Sequence, residues 1–177
     1  MSEQAGNQVQ RTKPNPFATH EDFIRIVHED MNGLYQLSFL LTGDHEKAEK
    51  CLVTGIEDCV KENRVFREWA RSWAKRVIVE NAIRELKPRP SLPKSSRSAT
   101  VLPSSERSSN SSGHFDLETV LKLGDFERFV FVMSVLESYS HHECALLLGC
   151  SVLEIRQARL KALEELANSG EVASLVT

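Results

Sequence analysis

The 177-residue sequence contains no run of about 18 apolar residues, so no membrane-spanning helix is expected. Its first residues, MSEQAGNQVQRTKPNP, are polar and lack the apolar core of a secretory leader, which points to a cytoplasmic chain with reduced thiols at Cys51, Cys59, Cys144 and Cys150. Metal-ligand spacings are missing too. His141, His142 and Cys144, with Cys150 close by, come nearest to a site, but no Cys-x-x-Cys or His-x-x-x-His pair completes four ligands, and neither a metal nor another cofactor is expected. The sequence has no phosphate-binding glycine loop, nucleophile elbow or defined carboxylate pair, which disfavours an enzyme. Nor is positive charge in surplus. The net charge is -3 and the pI about 6.1, which excludes a free-standing, high-affinity DNA coat, because neutralising phosphates takes an excess of Lys and Arg.

The charge that is present is unevenly placed. Residues 1–86 carry 12 basic and 14 acidic groups, residues 87–115 carry 5 and 1, and residues 116–177 carry 5 and 10. The basic middle stretch also holds Pro88, Pro90, Pro93, Pro103 and ten serines, with almost no large apolar residue to bury. Such a composition cannot offset its chain entropy and reads as a flexible linker. The expected plan is all-α: a tail over 1–19, a helical domain over 20–86, the linker over 87–115, a second helical domain over 116–168 and a tail over 169–177.

Three-to-four spacing of apolar residues sets the helices. Thr19 caps a helix from His20 to about Leu41, with Gly33 a weak point inside it. Gly43 and Asp44 stop it and start a second helix over 45–61, where Cys51 and Cys59 share one stripe and read as core. A third helix, from Val65 or Phe66 to Leu86, ends because Pro88 disfavours helix at Lys87. It carries Trp69, expected in the core, and Trp73, for which packing and stacking on unpaired bases stand equal. Beyond the linker come a short helix through Leu123, another from Phe126 to about Glu137, then 141–148, and a last one from Val152 to about Asn168.

The pair around Gly149 is the most informative. A helix-turn-helix needs a small residue at the helix crossing, a residue tolerating positive φ in the turn, and apolar residues packing the second helix on the first. Ala145, Gly149 and the set Cys144, Leu148, Cys150, Ile155 and Ala158 meet all three needs, and Ser151 with Glu154 completes a capping box. The outer side of the last helix then offers Leu153, Glu154, Arg156, Gln157, Arg159 and Lys161 for base edges and phosphates. A plain helical hairpin with a solvated charged face is the alternative.

The stretch FVFVMSVLESYSHHECALLLGCSVLEIRQARLKALEEL resembles region 4 of the extracytoplasmic-function (ECF) sigma factors of the sigma-70 family. LYQLSFLLTGDHEKAEK and WARSWAKRVIVENAIREL resemble the family's region 2, in the family's order. The resemblance implies a transcription initiation factor that binds core RNA polymerase and promoter DNA, with an anti-sigma factor as a further partner. Region 4 would read the -35 element. Region 2 would contact the -10 element through Arg71, Trp73, Lys75, Arg76 and Asn81, and dock on polymerase through the second helix, at Glu49, Lys50, Thr54 and Glu57. Lys50 and Thr54 stand where the family has Asp and Gln, and Val79 and Glu80 where it has Arg-Asn. A degenerate sigma-like regulator that binds without melting promoters, or an ordinary helix-turn-helix regulator, is therefore the alternative expectation.

Overall fold

A computed structural model describes residues 15–61, 65–90 and 117–174, with side chains through Ser169 in the last of these stretches. The linker from residue 91 on, the first 14 residues and residues 175–177 lie outside them. Among the described residues the architecture is all-helical: α1 His20–Thr42, α2 His45–Lys61, α3 Ala70–Leu86, α4 Leu117–Leu121, α5 Asp125–Phe131, α6 His141–Leu148 and α7 Val152–Ser174. A 3-10 turn over Arg67–Trp69 leads into α3, and a single π-helical turn over Val132–Leu136 follows α5. Among the described residues the one extended contact is a bridge between Phe17 and Phe66, whose rings stack at 5.1 Å.

Local side-chain chemistry sets most helix ends. Thr19 caps α1 by accepting the Asp22 N–H, while Asp22 accepts the Thr19 N–H in return. Gly43 takes the left-handed conformation (φ 66°) that ends α1, and the Asp44 carboxylate accepts the Lys47 N–H, opening α2. Inside α1 the backbone departs from helix at Asp30, whose carboxylate lies over Gly33 where any Cβ would overlap it. Gly55 is buried where α2 meets α3, and an added Cβ there would stand 3.0 Å from Ile78 Cγ1. The glycine that weakens α2 as an isolated helix thus lets α3 come close. Lys87, before Pro88, turns left-handed (φ 47°) and closes α3 with a bond to Ile83 O.

α1, α2 and α3 pack on one another, while α5 and α6 pack on α7. The two segments do not keep separate cores. Leu34, Leu37, Leu40 and Leu41 of α1 share one apolar cluster with Val120, Phe126, Phe129 and Val130. Arg128 of α5 reaches across this seam. It is 5 % exposed, and its guanidinium donates to Leu41 O at 3.3 Å and, more weakly, to Thr42 O at 3.5 Å. Leu123 O and Asp125 accept its remaining donors, at 3.2 and 2.7 Å. A cation placed on the last carbonyls of α1 answers the negative end of that helix dipole.

Two expectations are corrected. Trp69 is not core: it is 59 % exposed and stands edge-on to Phe66 at 5.3 Å. It lies in the 3-10 turn before α3, so its phase differs from that of an α-helical residue four before Trp73. The last helix also continues past Asn168 to Ser174, because Gly170 alone costs a helix only about 1 kcal/mol.

Candidate nucleic-acid interface

Two hydrogen-bonded caps frame the α6–α7 corner. The Ser140 hydroxyl accepts the Glu143 N–H at 3.2 Å, and the Glu143 carboxylate accepts from Ser140 N and Oγ at 2.8 and 2.7 Å. The same arrangement recurs at Ser151 and Glu154 with distances of 3.2, 2.7 and 2.7 Å. Hydrogen bonds from the serine hydroxyls and backbone amides hold both carboxyls below the usual carboxylate range. Between the caps Gly149 adopts φ 64°, and Cys150 N–H returns to Ala145 O. Nothing lies within 4 Å of a Cβ built on Gly149, so backbone conformation rather than space calls for glycine there. Cys144, Ala145, Ile155, Ala158 and Ala162 are buried between the two helices and α5.

The six residues expected to read bases divide into two groups. Leu153, 64 % exposed, Arg156 and Gln157 point outward on the first turns of α7, and Arg156 has no ion pair among the described residues. The other three have structural duties. Glu154 is the cap. Arg159 is half-buried, and its Nε is shut from solvent without a partner. Lys161 Nζ donates to Glu127 at 2.7 Å, a buried carboxylate of α5 that holds the lysine pKa up. Sequence spacing missed Leu160, exposed at 62 %, which extends the apolar part of this surface, and the exposed Leu146 of α6, at 78 %. Leu160 falls seven residues after Leu153 and so on the same face, a signal the sequence did carry.

On α3 the expected contacts are largely occupied. Arg71 pairs with Glu29 at 2.9 Å and Asp30 at 3.1 Å, Lys75 with Glu137 at 2.8 Å, and Arg76 with Glu80 at 3.0 Å. Asn81 is not at the surface. It is 7 % exposed, and its amide donates to Asp58 at 3.2 Å and Val77 O at 3.0 Å. Trp73 is half-buried with its indole Nε1 unpartnered. A cavity of about 660 Å³ opens beside it, walled by Phe66, Trp69, Trp73 and Arg76 on one side and Glu137 and Tyr139 on the other. On α2, Glu49, Lys50 and Glu57 are exposed and Thr54 is half-buried. Exposed Val53 sits among them at helical spacing, the apolar centre of a face that sequence reading takes as polar. Lys50 there is held by Glu85 at 2.8 Å.

Burial pushes the thiols of Cys51 and Cys150 up and that of Cys144 to about 11, so all three stay protonated and poorly nucleophilic at neutral pH. No helix among the described residues is long and apolar enough to cross a membrane. No protein-family model matches the chain, and no curated protein matches it.

Proposed function

We propose that the chain is a sigma-like transcription initiation factor that binds core RNA polymerase and helps direct it to promoter DNA, with α6 and α7 as its helix-turn-helix. One observation carries this reading: the capped α6–α7 corner leaves Leu153, Arg156 and Gln157 free on the opening turns of α7. An α-helix fits the major groove, where Arg pairs with guanine, Gln with adenine, and an apolar side chain packs on the thymine methyl. The charge argues for a larger carrier. Residues 116–177 have five basic against ten acidic groups, and Arg156 is, among the described residues, the one cation of the expected reading set left without a carboxylate partner or a buried guanidinium atom. Each phosphate neutralised contributes about 0.9 to the logarithmic salt slope, so this small number of contacts gives weak autonomous binding, and affinity must come through polymerase.

The test is promoter-selective transcription by core polymerase with the purified chain added. Loss of template selectivity in Arg156→Ala, with polymerase still bound, is the expected outcome. Failure of the wild-type chain to co-purify with core polymerase rejects the proposal. The pairing of Arg71, Lys75 and Arg76, together with buried Asn81, favours a second reading: a polymerase-bound regulator that reads duplex DNA without melting it. Permanganate footprinting of the same complex separates the two. Reactive thymines support melting, and protection without reactive thymines supports the second reading.

A further inference from the structure

The cavity of about 660 Å³ beside α3 has the size of a small-molecule site, and the rings of Phe66, Trp69, Trp73 and Tyr139 wall it. Phe66 and Trp69 meet edge-on at 5.3 Å and both stand open to solvent, so the apolar wall is continuous and unoccupied by the chain's own side chains. The polar groups around it are unevenly spent. Both oxygens of Glu137 accept from Lys75 Nζ, at 2.8 and 3.1 Å, and the Glu143 carboxylate accepts from Ser140 N and Oγ. Arg76 donates through its Nε to Glu80 at 3.0 Å, while its two terminal amines have no partner among the described residues. The Tyr139 hydroxyl has none there either. Burial pushes that phenol up to about 12, with Arg76 acting in the opposite direction, so it stays protonated and able to donate at neutral pH. What this cavity has to spare is donors, and its carboxylates are already engaged.

We infer that this cavity is a binding site for a small aromatic carboxylate, whose ring lies among Phe66, Trp69 and Trp73 and whose carboxylate takes the terminal amines of Arg76 and the hydroxyl of Tyr139. Both halves of the chain build the site. Arg76 and the tryptophans come from α3 and the 3-10 turn before it, and Tyr139 from the segment that leads into α6. Backbone bonds place that segment: Glu137 N–H donates to Val132 O at 3.0 Å and Tyr139 N–H to Met133 O at 2.9 Å. The shared apolar cluster fixes one half on the other, so the site is formed before a ligand arrives and little order has to be imposed on binding. A planar guanidinium with two free amines matches a carboxylate, which accepts two parallel N–H bonds. Aromatic walls favour a flat ring, through offset or edge contacts, over an aliphatic body. Glu137 and Glu143 on the same wall disfavour a second negative group, so the ligand is a monoanion. The inference does not depend on what α7 binds.

The experiment uses the full chain, labelled with heavy nitrogen and followed by NMR. Trp69 and Trp73 are its two tryptophans and both wall the cavity, so the two indole N–H resonances report on the site directly. Naphthoate and indoleacetate are titrated beside their neutral amides, naphthamide and indoleacetamide, into wild type, Arg76→Gln, Tyr139→Phe and Arg84→Gln. The last removes an exposed cation of the same helix that lies outside the cavity. Both indole resonances should move with the carboxylates, at a Kd of about 1 mM or tighter, the affinity that ordinary ligand efficiency gives molecules of this size. Arg76→Gln and Tyr139→Phe should each weaken the carboxylates by about tenfold, as loss of a hydrogen bond to a charged group does, and the amides should bind wild type weaker by a similar factor. Arg84→Gln should bind as wild type does. Tyr139→Phe keeps the ring and its packing, so it tests the contact without disturbing the fold. Equal affinity for acid and amide overturns the inference, as do carboxylate affinities that Arg76→Gln and Tyr139→Phe leave unchanged. Still indole resonances at about ten times the expected Kd overturn it too. So does oligothymidylate moving them where the carboxylates do not, which would assign the cavity to a nucleic-acid surface.

Discussion

Replacing Arg128 by methionine tests how much its cap on α1 adds to the apolar packing that joins the two halves of the chain. The side chain is almost wholly enclosed, and the apolar part of its stem is matched by methionine, so packing changes little. What is lost is the guanidinium. Leu41 O and Leu123 O lose their donor in a buried place, at about 1–3 kcal/mol each when left unsatisfied. Asp125 is more than half exposed and rehydrates at little cost, and the 3.5 Å contact to Thr42 O is too long to add much. Water reaching one of the carbonyls brings the expected loss to about 2 kcal/mol, which for a chain of this size lowers Tm by about 4–8 °C. Arg128→Lys keeps the charge at the end of α1 but not the fork, and falls between the two. Urea unfolding followed by circular dichroism measures the difference. Because the acceptor lies in α1 and the donor in α5, amide exchange at the C-terminal end of α1 should accelerate although the substitution is 87 residues away. A variant within about 0.5 kcal/mol of wild type, the ordinary range for surface changes, would refute the cap.

Gly149→Ala forces an L side chain into the left-handed region with no steric clash, so it should cost about 1 kcal/mol in chemical denaturation, and Gly149→Asn less. Ser140→Ala and Ser151→Ala each remove a cap and should cost about 1 kcal/mol, read as Tm. The partner carboxyls Glu143 and Glu154 titrate below their ordinary 4.5, as Asp22 does below 3.8 through its bond to the Thr19 backbone. Their contribution to stability is therefore complete above pH 4.5 and is lost as pH falls through the lowered folded values, and the serine variants should show a shallower acid limb. Arg156→Ala and Lys161→Ala should separate cleanly. The first leaves stability unchanged and, under the proposed function, costs promoter discrimination about 1–3 kcal/mol, whereas the second strands buried Glu127 and costs stability about 1–2 kcal/mol, discounted because Lys161 is half exposed.

Helix ends were legible in the sequence because their determinants are local. Thr19, Gly43, Asp44, Ser140, Gly149 and Ser151 each act within a few residues, so a motif three or four positions long contains both partners. The same locality made the buried stripe of Cys144, Ala145, Ile155 and Ala158 readable from spacing. Trp69 was misplaced because one 3-10 turn shifts the phase of everything before Ala70, which a pattern of apolar residues does not reveal. Asn81 was misplaced because its partner Asp58 lies on another helix, 23 residues away. Nothing near Arg128 in the sequence announces that it reaches the end of α1.

The candidate site was hardest to read where charge was counted along the chain. Residues 64–86 hold six basic groups against three acidic ones, which in sequence looks like a strip for phosphates. In space, Glu29 and Asp30 of α1 and Glu137 beyond α5 sit on that strip, and Glu80 within it takes Arg76. A long-range phosphate attraction depends on the summed field, and paired charges a few ångströms apart contribute little of it beyond a Debye length of about 8–10 Å. The α3 strip is therefore close to neutral as folded, and its one reversible component is Lys75. On α7 the opposite holds, since Arg156 meets no carboxylate among the described residues. Under the proposed function the outer face of α7 meets duplex DNA as folded, whereas the α3 strip is occupied by carboxylates of the same chain. That difference has a kinetic signature. Polymerase and duplex should associate first at a rate insensitive to Glu137→Gln, and permanganate-reactive thymines, where they form, should appear in a later step that Glu137→Gln accelerates. Simultaneous appearance of both signals, with the variant speeding both alike, would mean that the Lys75–Glu137 pair does not limit access to the α3 strip.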